Sequence, residues 1–438
     1  MEQNKTRQRI CASAAVVLLC GSTLSGCNRQ ETIAYFNEIE ETEESFAGES
    51  GTQANGTAMQ SGESFSDYSP QNATNTNKTT ETTENDVDST EYNGKSVSII
   101  MVGDILLHTP VAESGVQEDG SYNFDALFSN VKDEIEAADL ALVNEEVIIG
   151  GEELGVSGYP SFNAPYELGD ALVTAGFDVV LHATNHALDQ GKKGVKNCLS
   201  FWKNEYPETA VLGINESREA QENDIYIYEQ DGIRIAILNY TYGTNGIALP
   251  SDMPYAVNLL EEEKVTVDIA KAKEQADFVV VCPHWGTEYQ LTPDREQERW
   301  MELFLENGVD LVIGTHPHVI EPIEWVTDES GNEMLVYYSL GNFVNWTASS
   351  GEGIANRMVG GMAQVTIGMG DDGEAFIVEY GVTPLVCHVT EGTNGVTTYR
   401  LSDYTDVLAA QNAIVQQDSA FSKEYCENLC EEVWNGLQ

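Results

Sequence analysis

Positive charge is what this sequence lacks. Lysine and arginine number 21 against 72 aspartates and glutamates, leaving a formal net charge of −51 over 438 residues. Such a chain repels phosphate backbones and anionic lipid at long range, which excludes nucleic acid as a partner and electrostatic docking on a membrane. Long apolar runs are scarce too. The longest, Ile10 to Leu24, falls short of the roughly 20 residues that a transmembrane helix needs. Cysteine is thin in the body of the chain: beyond Cys11, Cys20 and Cys27 there are only Cys198, Cys282, Cys387, Cys426 and Cys430. An odd number excludes a fully paired disulfide framework within one chain. Cys426 and Cys430, four apart in a helical pattern, read as two thiols on one helix face. Apolar residues are ample, at 41% with 6 Trp and 13 Phe, enough for a substantial core.

The amino end carries Lys5, Arg7 and Arg9, then the short apolar run, then Leu24-Ser25-Gly26-Cys27. A basic start, an apolar stretch and a small-residue cleavage site make a secretory signal peptide. The last four residues resemble the lipobox of bacterial lipoproteins, which implies a mature chain starting at a lipidated Cys27 and held on the extracytoplasmic face of the cell membrane. From 28 to 94 the composition turns to Ser, Thr, Asn, Gly and Glu, with Arg29 and Lys78 its only cations. Too little apolar surface exists there to offset chain entropy, so it reads as a disordered acidic tether with a reach of about 45 Å.

Residues 95–390 alternate strand and helix patterns, which predicts βαβ units and an α/β fold. Helices are expected over Phe124 to Ala138, Tyr166 to Ala175, Gly194 to Asn204, Glu261 to Ala276 and Arg295 to Asn307. Turns at Gln230-Asp231-Gly232, Ser330-Gly331-Asn332 and Asp371-Asp372-Gly373 predict antiparallel hairpins and hence mixed sheets. The segment 391–438 reads as a helical, peripheral extension.

Polar residues gather where apolar strands stop. Gly103-Asp104 follows one strand, Asn144-Glu145 the next, Asn185-His186 with Asp189 a third, His284 a fourth and His316-Pro317-His318 a fifth, with Gly341-Asn342 after a sixth. Ligands bind outside the carboxyl ends of strands in open α/β sheets, so these pieces are expected to converge on one cleft. Six of the 7 histidines, His108, His182, His186, His284, His316 and His318, lie at such ends. Imidazole is both the commonest metal ligand and the usual acid or base near neutral pH. In extended backbone the two imidazoles of His-Pro-His point to opposite sides, so they suit two adjacent ions if the loop turns between them. Asp189 is placed to orient His186, to pair with Lys192 or to cap the helix that opens at Gly191. Glu288 reads as a partner near His284 or a surface residue, Trp285 as pocket wall or core.

These blocks, with His284-Trp285-Gly286-Thr287-Glu288-Tyr289, His316 to Glu324 and Tyr338-Ser339-Leu340-Gly341-Asn342-Phe343, resemble the ordered signatures of the CapA (PGA-cap) family of bacterial poly-γ-glutamate capsule synthesis proteins. That family is similar to the calcineurin-like metallophosphoesterases. The resemblance implies a layered metallophosphoesterase-like fold with mixed β-sheets flanked by helices. It also implies one or two divalent ions (manganese, zinc or iron) on Asp104, Glu145, Asn185, His284, His316 and His318. His186 takes the place of the acid, aided by Asp189, with His108, Asn144, Trp285, Glu288 and Asn342 lining the site. Two departures stand out. Leu106 occupies the place of the phosphoesterase pattern's next His, and its bridging Asp is replaced by Asn144-Glu145. The implied role is metal-dependent hydrolysis in capsule synthesis, transport or release, acting on poly-γ-glutamate or another envelope substrate beside membrane proteins of the capsule machinery. The competing reading is a non-catalytic metal- or polymer-binding assembly factor.

Overall fold

The computed structural model describes residues 92–390 and 395–434, which belong to one compact unit. The expected leader, Cys27 and the expected acidic tether up to residue 91 lie outside the described residues, while Tyr92, Asn93 and Gly94, expected as the end of the tether, open the first strand. Among the described residues, fourteen strands build two mixed sheets. In the first, β1 (Tyr92–Ile105), β2 (Leu140–Glu145), β3 (Val179–Leu181) and β4 (Ala210–Leu212) run parallel. In the second, β5 (Tyr226–Gln230) pairs antiparallel with β6 (Ile233–Thr241), which runs parallel to β7 (Phe278–His284) and β8 (Leu311–Ile313). The hairpin of β9 (Ile323–Thr327) and β10 (Glu333–Tyr337) completes that sheet beside β8. β11 (Asn342–Val344) returns to β1 in parallel, and β12 (Val359–Gly370), β13 (Ala375–Val389) and β14 (Val396–Arg400) extend the first sheet antiparallel. All three hairpins form at the expected turns. In the first, Asp231 and Gly232 both take positive φ, 54° and 82°, as a tight two-residue connection requires.

Alternation sets the layers. On the second sheet Ile235, Ile237, Val280, Cys282, Leu311 and Ile313 join the large core cluster shared with the first sheet. Their neighbours Ala236, Leu238, Val279, Val281 and Val312 face the other way, into a separate cluster. There they meet Val265, Ile269 and Ala272 of one helix and Trp300, Phe304 and Leu305 of another. Burial of each Val, Leu, Ile or Phe among them is worth about 1.5–3 kcal/mol. The longer helices are α1 (Tyr166–Ala175), α2 (Gly191–Glu205), α3 (Glu262–Gln275), α4 (Arg295–Glu306) and α5 (Lys423–Trp434). Asp294 starts α4 with a capping box, its carboxylate accepting from the Glu296 and Gln297 N–H groups while Gln297 answers from N3. The expected class, α/β with mixed sheets flanked by helices, is what the chain adopts. Among the described residues, no helix is long and apolar enough to cross a membrane.

Two expectations need correction. Phe124 to Ala138 is not one helix but a short turn at Asp125–Leu127 and a separate helix at Lys132–Ala137, with Asn130 between them tied to Thr397 of β14. Its apolar positions are buried as the spacing demands. The stretch 391–438, expected as a peripheral helical extension, supplies β14 to the first sheet and buries Cys426, Leu429, Cys430 and Trp434 in the main core. The Trp434 indole N–H donates to the Glu321 carbonyl at 3.1 Å.

Glu321 itself is buried, with one oxygen accepting from Gln297 Nε2 at 2.6 Å and the other unpartnered. Burial raises its carboxyl to about 8, against the opposing hydrogen bond from Gln297. An unfolded glutamate titrates near 4.3, so between about pH 5 and 8 the native state holds a proton that the unfolded chain has released. Stability from this group is therefore full below about pH 4 and lost as the pH rises through about 8. Glu321→Gln is expected to flatten the parent's fall in unfolding free energy over that window, by at most about 1.4 kcal/mol per pH unit. Urea titrations of both proteins across that window check it, and parallel slopes would refute it.

Candidate metal centre

The cleft lies where strands of both sheets end. β1 delivers Asp104, and the preceding Gly103 lets the chain pass Gly341, whose carbonyl oxygen a Cβ would meet at 1.9 Å. That close approach lets the Asp104 N–H donate to the Gly341 carbonyl at 3.0 Å. Asp104 Oδ1 accepts from Asn144 Nδ2 at 2.8 Å and Oδ2 from the His316 backbone N–H at 3.2 Å, with His318 Nδ1 also 3.2 Å from Oδ2. His284, the last residue of β7, sets Nδ1 3.0 Å from Thr315 Oγ1 and Nε2 3.0 Å from Asn185 Oδ1. Asn342, the first residue of β11, holds His318 twice: Oδ1 lies 3.1 Å from the ring Nδ1, and Nδ2 donates to the His318 carbonyl.

At the centre stands Glu146, one residue past the end of β2. Its Oε1 lies 3.6 Å from His318 Nε2, 3.8 Å from His284 Nε2 and 3.9 Å from His186 Nε2. It is fully buried, and neither carboxylate oxygen has a hydrogen-bond partner; nor has His316 Nδ1 or Asn144 Oδ1. Unpaired buried polar atoms cost about 1–3 kcal/mol each, so a cluster of them points to something that completes them. Donors each about 2.1 Å from one ion lie roughly 3–4 Å apart, which matches these spacings. Glu146, His316 and His318 form one group able to hold a metal ion and Asp104, Glu146 and His284 another, sharing Glu146. The residues fit a divalent ion.

Electrostatics divide the imidazoles. Burial, then the neighbouring imidazoles, push His284 and His316 well below the ordinary imidazole range, so both are neutral, the form that ligates. Burial works against charge on His318, but Glu146 and Asp104 outweigh it and raise the ring to about 10. Burial lifts the Glu146 carboxyl well above the carboxylate range, with His318 opposing.

His186 differs from the other imidazoles. Its Nδ1 lies 2.7 Å from Asp189 Oδ2, which also accepts the Phe162 N–H at 2.7 Å. The ring edge packs on Phe162 with centroids 4.7 Å apart. A proton on Nδ1 is thus committed to Asp189, and Nε2 faces Glu146 and the cleft. Asp189 orients His186; it neither caps α2 nor pairs with Lys192, whose partner is Asp252.

Of the expected residues, Asp104, Asn144, Asn185, His186, Asp189, His284, His316, His318 and Asn342 come together by direct contact. His108 lies at the rim, its ring 5.2 Å from Phe162. Three do not belong. Glu145 points away from the cleft, buried with both oxygens unpartnered, because successive strand residues face opposite sides and Asn144 takes the cleft side. Glu146, two residues past Asn144, is the candidate ligand that the residue pattern does not reveal. Trp285 is core: its indole donates to the Tyr338 carbonyl and it packs on Phe304. Glu288 is exposed and bears on the site only as charge. The His-Pro-His loop also departs from extended backbone. His316 and His318 take φ of 102° and 59°, which brings the rings to 5.6 Å and lets them serve one ion group instead of two. His182 lies behind the sheet, accepting from the Trp202 indole.

Comparison with known proteins follows these residues. The family described as "Bacterial capsule synthesis protein PGA_cap" matches residues 98–347, more than half of the chain and every candidate ligand. The PGA biosynthesis protein CapA of Bacillus subtilis (strain 168) is 30% identical over 266 residues, 58% of this chain and 66% of that protein. The capsule biosynthesis protein CapA of Bacillus anthracis is 28% identical over 265 residues, 58% and 61% respectively. The match thus spans just under two thirds of the length of these curated relatives. Among solved structures, the chain is similar to the Haemophilus influenzae NAD nucleotidase (TM-score 0.42, 14% identity, 67% of this chain and 58% of that one). It is also similar to a 5'-nucleotidase precursor from Thermus thermophilus (TM-score 0.40, 14% identity, 77% and 58%). With the match covering the second sheet, the parallel strands of the first and every candidate ligand, the chain belongs to the PGA_cap family of bacterial capsule synthesis proteins.

Proposed function

We propose that this chain is a lipid-anchored, extracytoplasmic member of a poly-γ-glutamate capsule system, and that its cleft performs metal-dependent hydrolysis during synthesis, transport or release of the polymer. The observation that carries the chemistry is Glu146, buried, unpartnered and within 3.9 Å of three imidazoles from separate loops. Asp104, Glu146, His284, His316 and His318 would hold the ion, manganese, zinc or iron, with Asn185 beside His284. When bound, such an ion supplies a Lewis acid and a water acidic enough to be deprotonated near neutral pH. The chain's own residues do the rest. Asn342 and Asp104 fix His318, Thr315 and Asn185 fix His284, and Asp189 holds His186 so that Nε2 delivers a proton to a departing oxygen or nitrogen. The His186–Asp189 pair favours an enzyme over a passive assembly factor, since metal binding alone needs no oriented acid. The printed names of the two CapA relatives support the polymer, and the Leu24-Ser25-Gly26-Cys27 string supports the anchor and a place beside membrane proteins of the capsule machinery.

The test is the purified full chain, reloaded with manganese, zinc or iron, assayed for bound metal and for hydrolysis of a generic phosphodiester and of poly-γ-glutamate. Bound metal with turnover of either substrate is expected; no metal after reloading would overturn the reading. In cells, Cys27→Ala should abolish fatty-acid labelling, and unchanged labelling would refute the anchor.

A further inference from the structure

We infer that Arg357 is an oxyanion anchor at the rim of the cleft, taking a carboxylate or phosphoryl group of the substrate beside the reacting bond. The inference rests on the hydrolase reading of that cleft. Arg357 sits on the turn Ile354–Met358, and its guanidinium carbon lies 3.6 Å from the centroid of the Tyr289 ring. Its Nη1 reaches Thr347 Oγ1 at 3.4 Å.

Both supports lead back to the metal ligands. Tyr289 donates its backbone N–H to the Pro317 carbonyl at 2.7 Å, and its ring lies 6.0 Å from that of His318. The Arg357 carbonyl accepts from Asn342 Nδ2 at 3.0 Å, the same amide that donates to the His318 carbonyl at 3.0 Å. Asn345 Nδ2 reaches that carbonyl as well, at 3.3 Å. The guanidinium is therefore fixed in register with His318 through two independent paths. Its charge is also felt at the rim, adding to the burial that lowers His108 to about 3.

Among the described residues, no carboxylate lies within ion-pair distance of Arg357, in a chain with 72 acidic residues. A guanidinium stacked by its face keeps its in-plane N–H fork for a planar or tetrahedral oxyanion, and the stacked ring has already removed much of its side-chain freedom. The need is plain, since a net charge of −51 repels every anionic substrate and only a local cation beside the ligands reverses the sign.

The experiment uses the full chain and Arg357→Gln and Arg357→Lys variants, with metal content and melting temperature measured on each. Probes are a γ-linked glutamate oligomer, the same oligomer with its α-carboxylates amidated, and inorganic phosphate, titrated calorimetrically. Arg357→Gln should weaken the acidic oligomer about 10- to 100-fold with metal content unchanged, and Arg357→Lys should recover only part of that. The amidated oligomer should bind parent and Arg357→Gln alike. Arg357 dependence seen with phosphate and not with the oligomer would assign the anchor to a phosphoryl group. Binding of both probes that ignores Arg357, or a parent that binds neither, overturns the anchor. A parent that holds no metal yet binds in an Arg357-dependent way keeps the anchor and sinks the hydrolase reading instead.

Discussion

Glu146→Ala should abolish metal retention by the purified, reloaded protein and take hydrolysis to background, while Glu145→Gln leaves both at the parental level. The contrast follows from one residue of strand phase. Glu146 belongs to both ligand groups, so its loss removes one donor from each at once. Glu145 faces the other side of β2 and touches none of the ligands. A second readout guards against misfolding. The metal-free Glu146→Ala protein should still melt cooperatively, somewhat below the metal-free parent, because His318 loses the carboxylate 3.6 Å away while the repulsion with Asp104 and Glu288 is relieved. The parent should gain about 2.7 kcal/mol at metal concentrations roughly 100 times the dissociation constant, and the variant nothing. If Glu145→Gln loses the metal and Glu146→Ala keeps it, the assignment is inverted.

His186→Ala should cost hydrolysis roughly 10²- to 10⁴-fold and leave the metal in place. Its Nδ1 is spent on Asp189 and its Nε2 lies 3.9 Å from Glu146, the longest of the three imidazole approaches, so the ring serves as a proton donor beside the ligand set. Asp189→Asn keeps the shape but no longer favours the proton on Nδ1. Its expected signature is a displaced pH–rate profile at parental metal content. His318→Ala, by comparison, should lose metal and activity together. A His186→Ala protein that emerges metal-free would make His186 a ligand and leave the cleft without an acid.

Most of the architecture could be read from the residues because the signals were local. Hairpins announced themselves through Asp231-Gly232 and its counterparts, and helices through apolar spacing with short caps. The convergence of Asp104, Asn185, His284 and the His-Pro-His loop followed from polar residues at the ends of apolar strands. What failed was phase. Leu140-Ala141-Leu142-Val143 is buried on both faces, so no alternation in that strand says which of Glu145 and Glu146 faces the cleft. Only pairing with β1 and β3 decides it. The positive φ of His316 and His318 was equally hidden, since nothing in a histidine's side chain advertises left-handed backbone. Trp285 was ambiguous for another reason: an aromatic ring suits a pocket wall and a core alike, and only the partner of its indole N–H separates them.

All five cysteines of the folded region are unpaired and buried. Burial pushes Cys198, Cys387 and Cys430 to about 12, and Cys282 and Cys426 higher still, so no reactive thiolate is on offer to a reagent in solution. Each sulfur can be modified only when its own neighbourhood opens. The molecule thus carries a set of clocks: Cys282 two residues ahead of His284, Cys387 within β13, and Cys426 with Cys430 on the closing helix. Their separate labelling rates would tell whether the cleft, the long antiparallel edge and the carboxyl-terminal helix come apart together or one at a time.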